Sequence, residues 1–341
     1  MRALRTVTAL KMSTWKTYDV AVLGWWYGKN YGSILTYYGV TRAVESLGRT
    51  FVVGSDQLWN PLIGRVHDDL FLDFVGPRND RVSYGTSFGN RGTDMFEPPF
   101  VAKHAANLQR FKAISVREEY AIDTARDVFG VKASRVVDPV FLLPTEHYRD
   151  LASKGAVTPE GDYIAVFFLD PTPEKTDVAQ AVADKLGFEK ILVIPNPEEG
   201  RELTASLFAD DPRAEIMAED APENFLQGYR DSSYVVTDSF HGSAFAAIFE
   251  KPFSSLYNTK RGADRFTHLM TSLGFGDSRR VFETDSAEKI AENANVTREV
   301  DFAKAREYIE TGRASSMAWL KAALDPVKKG SARGGRRQTR G

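Results

Sequence analysis

Short runs of β-branched and apolar residues recur along the chain, and most end on glycine, serine or aspartate before a stretch with helical spacing. Residues 19–24, 51–54, 81–84, 111–116, 163–169, 191–195, 234–237 and 252–257 read as buried strands. Helices are predicted over 34–47 (closed by Gly48), 100–110, from after residues 117–119 to about 129, 146–153, 176–186, 263–273, 286–292 and 300–324. Such an alternation implies an α/β fold of parallel sheets flanked by helices. The proline-bounded run 136–144 closes a first half, so residues 1–145 form one Rossmann-like domain and 146–327 a second with closing helices. Residues 328–341 are basic, rich in glycine and free of acids, and read as a disordered tail.

The chain is organised around residues 234–249. A β-branched run passes through Thr237, Asp238, Ser239, Phe240 and His241 into small and apolar residues, which reads as buried strand, tight turn, buried helix. In open α/β sheets ligands bind beyond the carboxyl ends of strands, where a helix N-terminus offers free N–H groups to an anion. His241 lies in that turn. Asp238 and Ser239 suit helix capping equally well, with His241 a satisfied polar residue beside them.

A first strand ending on Gly24 leads into Trp25, Trp26, Tyr27, Gly28, Lys29, Asn30, Tyr31, Gly32 and Ser33. Its glycine spacing is not that of a dinucleotide fingerprint. The rings suit either core packing or stacking on a sugar or base. Gly54, Ser55, Asp56, Gln57, Leu58, Trp59 and Asn60 form another polar turn after a strand, and Asp56 with Trp59 reads as a turn with its hydrophobic plug or as the wall of a binding site. Arg117, followed by Glu118 and Glu119, reads as a surface salt-bridge cluster or as an anion ligand.

Composition narrows the function. At 341 residues the chain exceeds one ordinary core. A net charge of -2 gives no general attraction to nucleic acid or anionic membrane, so a phosphate-bearing partner needs a local pocket. No run reaches the roughly 18 apolar residues of a membrane span. The chain has no cysteine, which excludes disulfides and thiolate metal sites, and His67, His104, His147 and His268 lack the paired spacing of metal ligands and read as surface or helix residues. A cytoplasmic protein, at most associated with the inner face of the membrane, is expected.

Five motifs in order, Asn30-Tyr31-Gly32-Ser33, residues 54–61, Ser115-Val116-Arg117-Glu118, Val137-Asp138-Pro139 and residues 237–242, resemble those of the polysaccharide pyruvyl transferases. The resemblance spans residues 19 to about 275. It implies two Rossmann-like domains facing across a cleft, as in GT-B glycosyltransferases. The implied activity is transfer of the pyruvyl group of phosphoenolpyruvate to two sugar hydroxyls, with phosphate released and no cofactor. Phosphoenolpyruvate and a saccharide, free or lipid-linked, are the implied partners, with no nucleic acid. Arg117 and His241 match the family's functional residues. Lys260 matches a donor-contacting lysine, in competition with Arg261 and Arg265.

On that basis the first domain carries the acceptor, with Asn30, Tyr31, Ser55, Asp56 and Trp59 as its contacts. The second carries the donor, held by Arg117, Ser239, His241, Gly242, Ser243 and Lys260, with His241 as acid or base and Asp238 orienting it. No metal is expected. This chain differs from the resemblance in one respect, the near-absence of residues between Gly48 and Phe51 where relatives carry several tens. Two other readings stand beside this one: a nucleotide-sugar glycosyltransferase of the same fold, and a glycan-binding protein using Trp25, Trp26, Tyr27 and Trp59.

Overall fold

The computed structural model describes residues 20–23, 31–44, 50–62, 68–77, 79–89, 91–156, 159–257 and 263–325, the side chains of 20, 21, 23 and 41–44 excepted. The predicted apolar runs become strands of at most four residues, each paired in a parallel sheet. In the first domain β1 (Val20–Leu23), α1 (Tyr31–Val44), β2 (Thr50–Val53), β3 (Asp80–Ser83), α2 (Pro98–Leu108), β4 (Ala113–Val116), α3 (Glu119–Asp127) and β5 (Ser134–Arg135) follow in order. The sheet order is β1-β2-β3-β4-β5, all pairs parallel. The winding therefore never reverses.

After α4 (Thr145–Ala152) the second domain runs β6 (Ile164–Phe167), α5 (Pro173–Leu186), β7 (Ile191–Ile194), α6 (Arg201–Leu207), β8 (Ala214–Ile216), α7 (Pro222–Asp231), β9 (Tyr234–Thr237), α8 (Phe240–Ile248), β10 (Phe253–Leu256), α9 (Ala263–Ser272), β11 (Arg280–Val281), α10 (Ala287–Glu292) and α11 (Ala303–Leu324). Its order, β11-β10-β9-β6-β7-β8, places β6 and β9 side by side with the chain winding outward from each. Such a reversal opens a crevice at the carboxyl ends of the two strands.

Strand periodicity explains why both faces of this sheet are dry. Ile164, Val166, Ile191, Val193, Tyr234 and Val236 share one core, while Ala165, Phe167, Leu192, Ile194 and Val235 face another. That second core continues into the first domain through Tyr84, Val137 and Phe141. Local chemistry sets the helix ends: Thr172 caps α5 ahead of Pro173, and Gly187 closes it at φ 69°. All nine residues of α8 are buried, which its small side chains permit between the sheet and the first domain.

Several elements depart from the sequence expectation. Helix α1 begins at Tyr31, three residues early, and Phe111 closes the turn after α2, with its N–H on the Leu108 carbonyl, instead of opening β4. Strands β5, β8 and β11 and helix α6 are too short to carry a periodic signal. Helix α11, placed with the second domain by sequence order, also reaches back to the first. The Ser316 hydroxyl accepts from the Val137 N–H at 3.0 Å, and a Cβ at Gly312 would collide with Val137.

Candidate active site between the two domains

The turn at the end of β9 delivers His241 to the domain boundary. Ser239 is the N-cap of α8, its hydroxyl accepting from the Gly242 N–H at 3.1 Å. The N–H groups of Phe240 and His241 are thus the first-turn donors that neither the cap nor the helix takes up. His241 is nearly buried, and its Nε2 lies 2.9 Å from the Thr36 hydroxyl of α1 and 3.6 Å from Oδ2 of Asp138. Its Nδ1 side rests against Gly32, where a Cβ would collide with the ring. Thr36, Gly32 and Asp138 all belong to the first domain. The imidazole is therefore oriented across the boundary.

Asp138 caps the 3-10 turn Pro139–Phe141, its Oδ1 accepting from the Val140 N–H at 3.1 Å, while Oδ2 takes 2.6 Å from Arg117 Nη1. Arg117 follows β4 and is 3 % exposed. Its Nη2 donates to Asp56 Oδ1 at 3.0 Å and its Nε to Glu118 Oε1 at 3.0 Å. One N–H on each terminal nitrogen is left over. Burial disfavours the Arg117 charge, but Asp138, Glu118 and Asp56 outweigh it and hold the guanidinium protonated. Asp56 has φ 77°, a conformation that aspartate tolerates better than most residues, and its carboxylate also accepts from Ser33 at 3.1 Å and from the Gln57 N–H at 2.9 Å.

The three carboxylates differ. Burial opposes ionisation of Asp138 and Asp56, yet Arg117 and His241 pull both below the usual carboxylate range. Glu118 goes the other way: burial dominates and raises it, with Arg117 and Arg265 opposing. Arg265 of α9 is also buried beside the Phe240 ring, its guanidinium 5.6 Å from the ring centroid against 5.0 Å for Arg117. A small cavity bordered by Arg117, Glu118, Asp138, Phe240 and His268 lies at this junction.

Not every predicted contact converges here. Asp238 does not orient His241. Its carboxylate accepts from Lys175 Nζ at 2.7 Å and from the N–H groups of Leu169 (2.5 Å) and Asp170 (3.2 Å), because β9 ends beside β6 and turns this side chain toward the β6–α5 loop. Asp138 occupies the place expected for it. Ser243 is spent on the Ser239 carbonyl and the Ser255 hydroxyl, and Gly242 lies packed on Thr237 and Tyr229. Tyr31 is core, stacked on Phe225 at 5.1 Å, and Trp59 is the plug, stacked on Phe71 with its Nε1 on the Leu70 carbonyl. Ser55 is buried with its hydroxyl unpartnered. Asn30, Lys260, Arg261, His67, the 24–30 loop and the tail fall outside the described residues.

Sequence reasoning missed Thr36, Gly32 and Asp138 as neighbours of His241, and assigned Glu118 and His268 no role in a site. Their signals are weak: Asp138 sits before a proline as a cap, and His268 lies one helical turn from Arg265. His104, read as a surface or helix residue, is in α2 but buried, its ring 3.8 Å from that of Phe71.

A sequence model described as "Polysaccharide pyruvyl transferase" matches residues 16–260, which is most of the chain and includes the β4, β9 and α8 site residues. The chain belongs to that family. Membership makes it a transferase with a saccharide acceptor. No curated protein matches. Among solved structures it is similar to a putative UDP-N-acetylglucosamine 2-epimerase from Listeria monocytogenes, with 11% identity, TM-score 0.53, and 86% of this chain and 78% of that one covered. The UDP-GlcNAc 2-epimerase from Methanocaldococcus jannaschii (13%, TM-score 0.48, 84% and 81%) is a further neighbour. At these identities the likeness is one of fold, and the two parallel sheets agree with it as GT-B-like Rossmann domains. No helix among the described residues is long and apolar enough to cross a membrane.

Proposed function

We infer that this transferase moves the pyruvyl group of phosphoenolpyruvate onto two hydroxyls of a sugar in a cell-surface polysaccharide, an exopolysaccharide or a precursor of either, and releases phosphate. The observation that carries the reading is the meeting of Arg117 and His241 across the domain boundary, joined through Asp138. Phosphoenolpyruvate brings a carboxylate and a phosphate, and the site offers the spare N–H groups of Arg117, the Arg265 charge and the N–H groups of Phe240 and His241. Lys260 adds a further cation in this reading. His241 takes the proton of the attacking hydroxyl, oriented by Asp138 and Thr36. Addition and elimination without net oxidation call for no redox cofactor. The acceptor, free or lipid-linked, approaches from the first domain, in the cytoplasm or at the inner face of the membrane.

The test is a calorimetric titration of phosphoenolpyruvate, and separately of UDP-sugars, into wild-type protein and His241→Ala, with phosphate release followed over a panel of methyl hexopyranosides. Saturable phosphoenolpyruvate binding is expected in both proteins, with turnover lowered in the variant by about 100-fold or more. Binding of UDP-sugars alone would replace this reading with a nucleotide-sugar reaction on the same fold.

A further inference from the structure

Glu118 occupies the N-cap position of α3 without capping it. Serine, threonine, aspartate and asparagine are the usual residues there, since a short oxygen reaches the second or third N–H of the helix. The Glu118 side chain turns instead to the Arg117 Nε with Oε1, while Oε2 is buried, not hydrogen-bonded, and the carboxyl borders the same cavity as Arg117, Phe240 and His268. The helix forgoes its cap, and a buried carboxyl oxygen has no hydrogen bond of good geometry although the Ser87 hydroxyl is nearby. Neither helps the fold, and both leave the Glu118 carboxyl turned to the cavity.

Resting on the pyruvyl-transfer reading, we propose that Glu118 is the acid that protonates the methylene carbon of the enolpyruvyl group. Its O–H bond breaks as the carbon–carbon π pair takes the proton. The neighbouring carbon accepts the oxygen of a sugar hydroxyl, whose proton passes to His241. The carbon–phosphate oxygen bond then breaks, and phosphate leaves with the proton from His241. The second hydroxyl closes the ketal and returns its proton to Glu118. Two hydroxyl protons enter, one replacing that given to carbon and one leaving on phosphate, so both side chains are regenerated.

The groups facing Glu118 suit this role. Arg117 beside it, Arg265 from α9 and the Ser87 hydroxyl favour the carboxylate, burial favours the acid and raises the carboxyl above its ordinary range, and Tyr120 of α3 is close by. His268, which also borders the cavity, has an unpartnered Nε2 and a pKa lowered to about 4, by burial first and then by Arg135, so it is a neutral acceptor at ordinary pH. It cannot be the acid.

The test is isotope-edited infrared spectroscopy of the full chain at neutral pH, with wild type compared with Glu118→Gln. The amide keeps the bond from Arg117 and has no acidic proton. A protonated-carboxyl band present in wild type and lost in Glu118→Gln is expected, and its absence from wild type would overturn the proposal even if the variant fails to fold. With the methyl hexopyranosides as acceptors, Glu118→Gln should bind phosphoenolpyruvate within a few-fold of wild type, turn over about 100-fold or more slower, and lose the fall in turnover that wild type shows as pH rises through the Glu118 titration. A merely structural role would leave that limb in place. Ketal formation by Glu118→Gln within about threefold of wild type would remove Glu118 and leave pyruvyl transfer standing. Wild-type protein that binds no phosphoenolpyruvate would overturn both.

Discussion

At the scale of single residues, the site is defined as much by the side chain missing at Gly32 as by those present. His241 lies close against the α1 backbone there, and a Cβ would meet its ring. In an exposed helix, alanine for glycine gains about 1 kcal/mol from propensity. Here the collision reverses the sign. Gly32→Ala is expected to lose about 1–3 kcal/mol in urea denaturation, as overpacked sites do, and to lower turnover by moving His241 from Asp138 and Thr36. A variant as stable and active as wild type would show that the ring can shift without consequence. Arg117 teaches a related lesson. Its bonds to buried Asp138 and Glu118 and to half-buried Asp56 make it a structural cation before it is a donor ligand, so any loss of binding on its removal has to be separated from loss of fold.

Among the elements, the β6–α5 loop and the β9–α8 turn are locked together at the reversal point of the second sheet. Asp238 collects two N–H groups from that loop and the Lys175 ammonium, which also donates to the Asp170 carbonyl at 2.8 Å. Burial raises the Asp238 pKa against the pull of Lys175. Lys175→Met would leave Asp238 buried without its cation, and a loss of about 3 kcal/mol is expected, near the lower end for a broken buried pair because Asp238 can take up a proton. The double variant Lys175→Met, Asp238→Asn should recover part of that loss. Additive losses would mean that the two side chains act independently.

For the molecule as a whole, acid is the condition that tests these buried charges. His268 has a folded pKa of about 4 against an ordinary 6.5, by burial first and then by the Arg135 charge. Between those values the unfolded chain binds a proton that the folded chain refuses. Stability should therefore fall as pH drops from about 6.5 to about 4 and cease falling on this account below that, by on the order of 2 kcal/mol once partial exposure of the ring is discounted. The depressed carboxyls of Asp138 and Asp56 act later, withdrawing stability below the ordinary aspartate range. His268→Gln should flatten the thermal midpoint between pH 6.5 and 4 while leaving the steeper loss below. An unchanged profile would assign that slope to other groups.

Much of this was legible in the chain itself. Buried β-branched runs ending in small polar residues define an α/β protein, because a strand covered on both faces must be apolar throughout and its following turn must be tight. Tyr234 to Phe249 behaves as strand, turn and buried helix, and the ordered motifs announce the family that the match over residues 16–260 shows. What the sequence could not decide is which polar residues meet. Asp138 and Asp238 are equally polar, and each follows a buried run, yet one faces His241 and the other faces Lys175. The difference arises from the local 3-10 turn that Asp138 caps and from strand order, which brings together residues tens to hundreds of positions apart. Tyr31 and Trp59 likewise fill cores because aromatic rings serve packing and recognition alike, and only tertiary packing supplies Phe225 and Phe71 as their partners. Local periodicity fixes the elements, whereas the charges at the site are set by burial and by tertiary distances, within the first domain around Arg117 and across the boundary at His241.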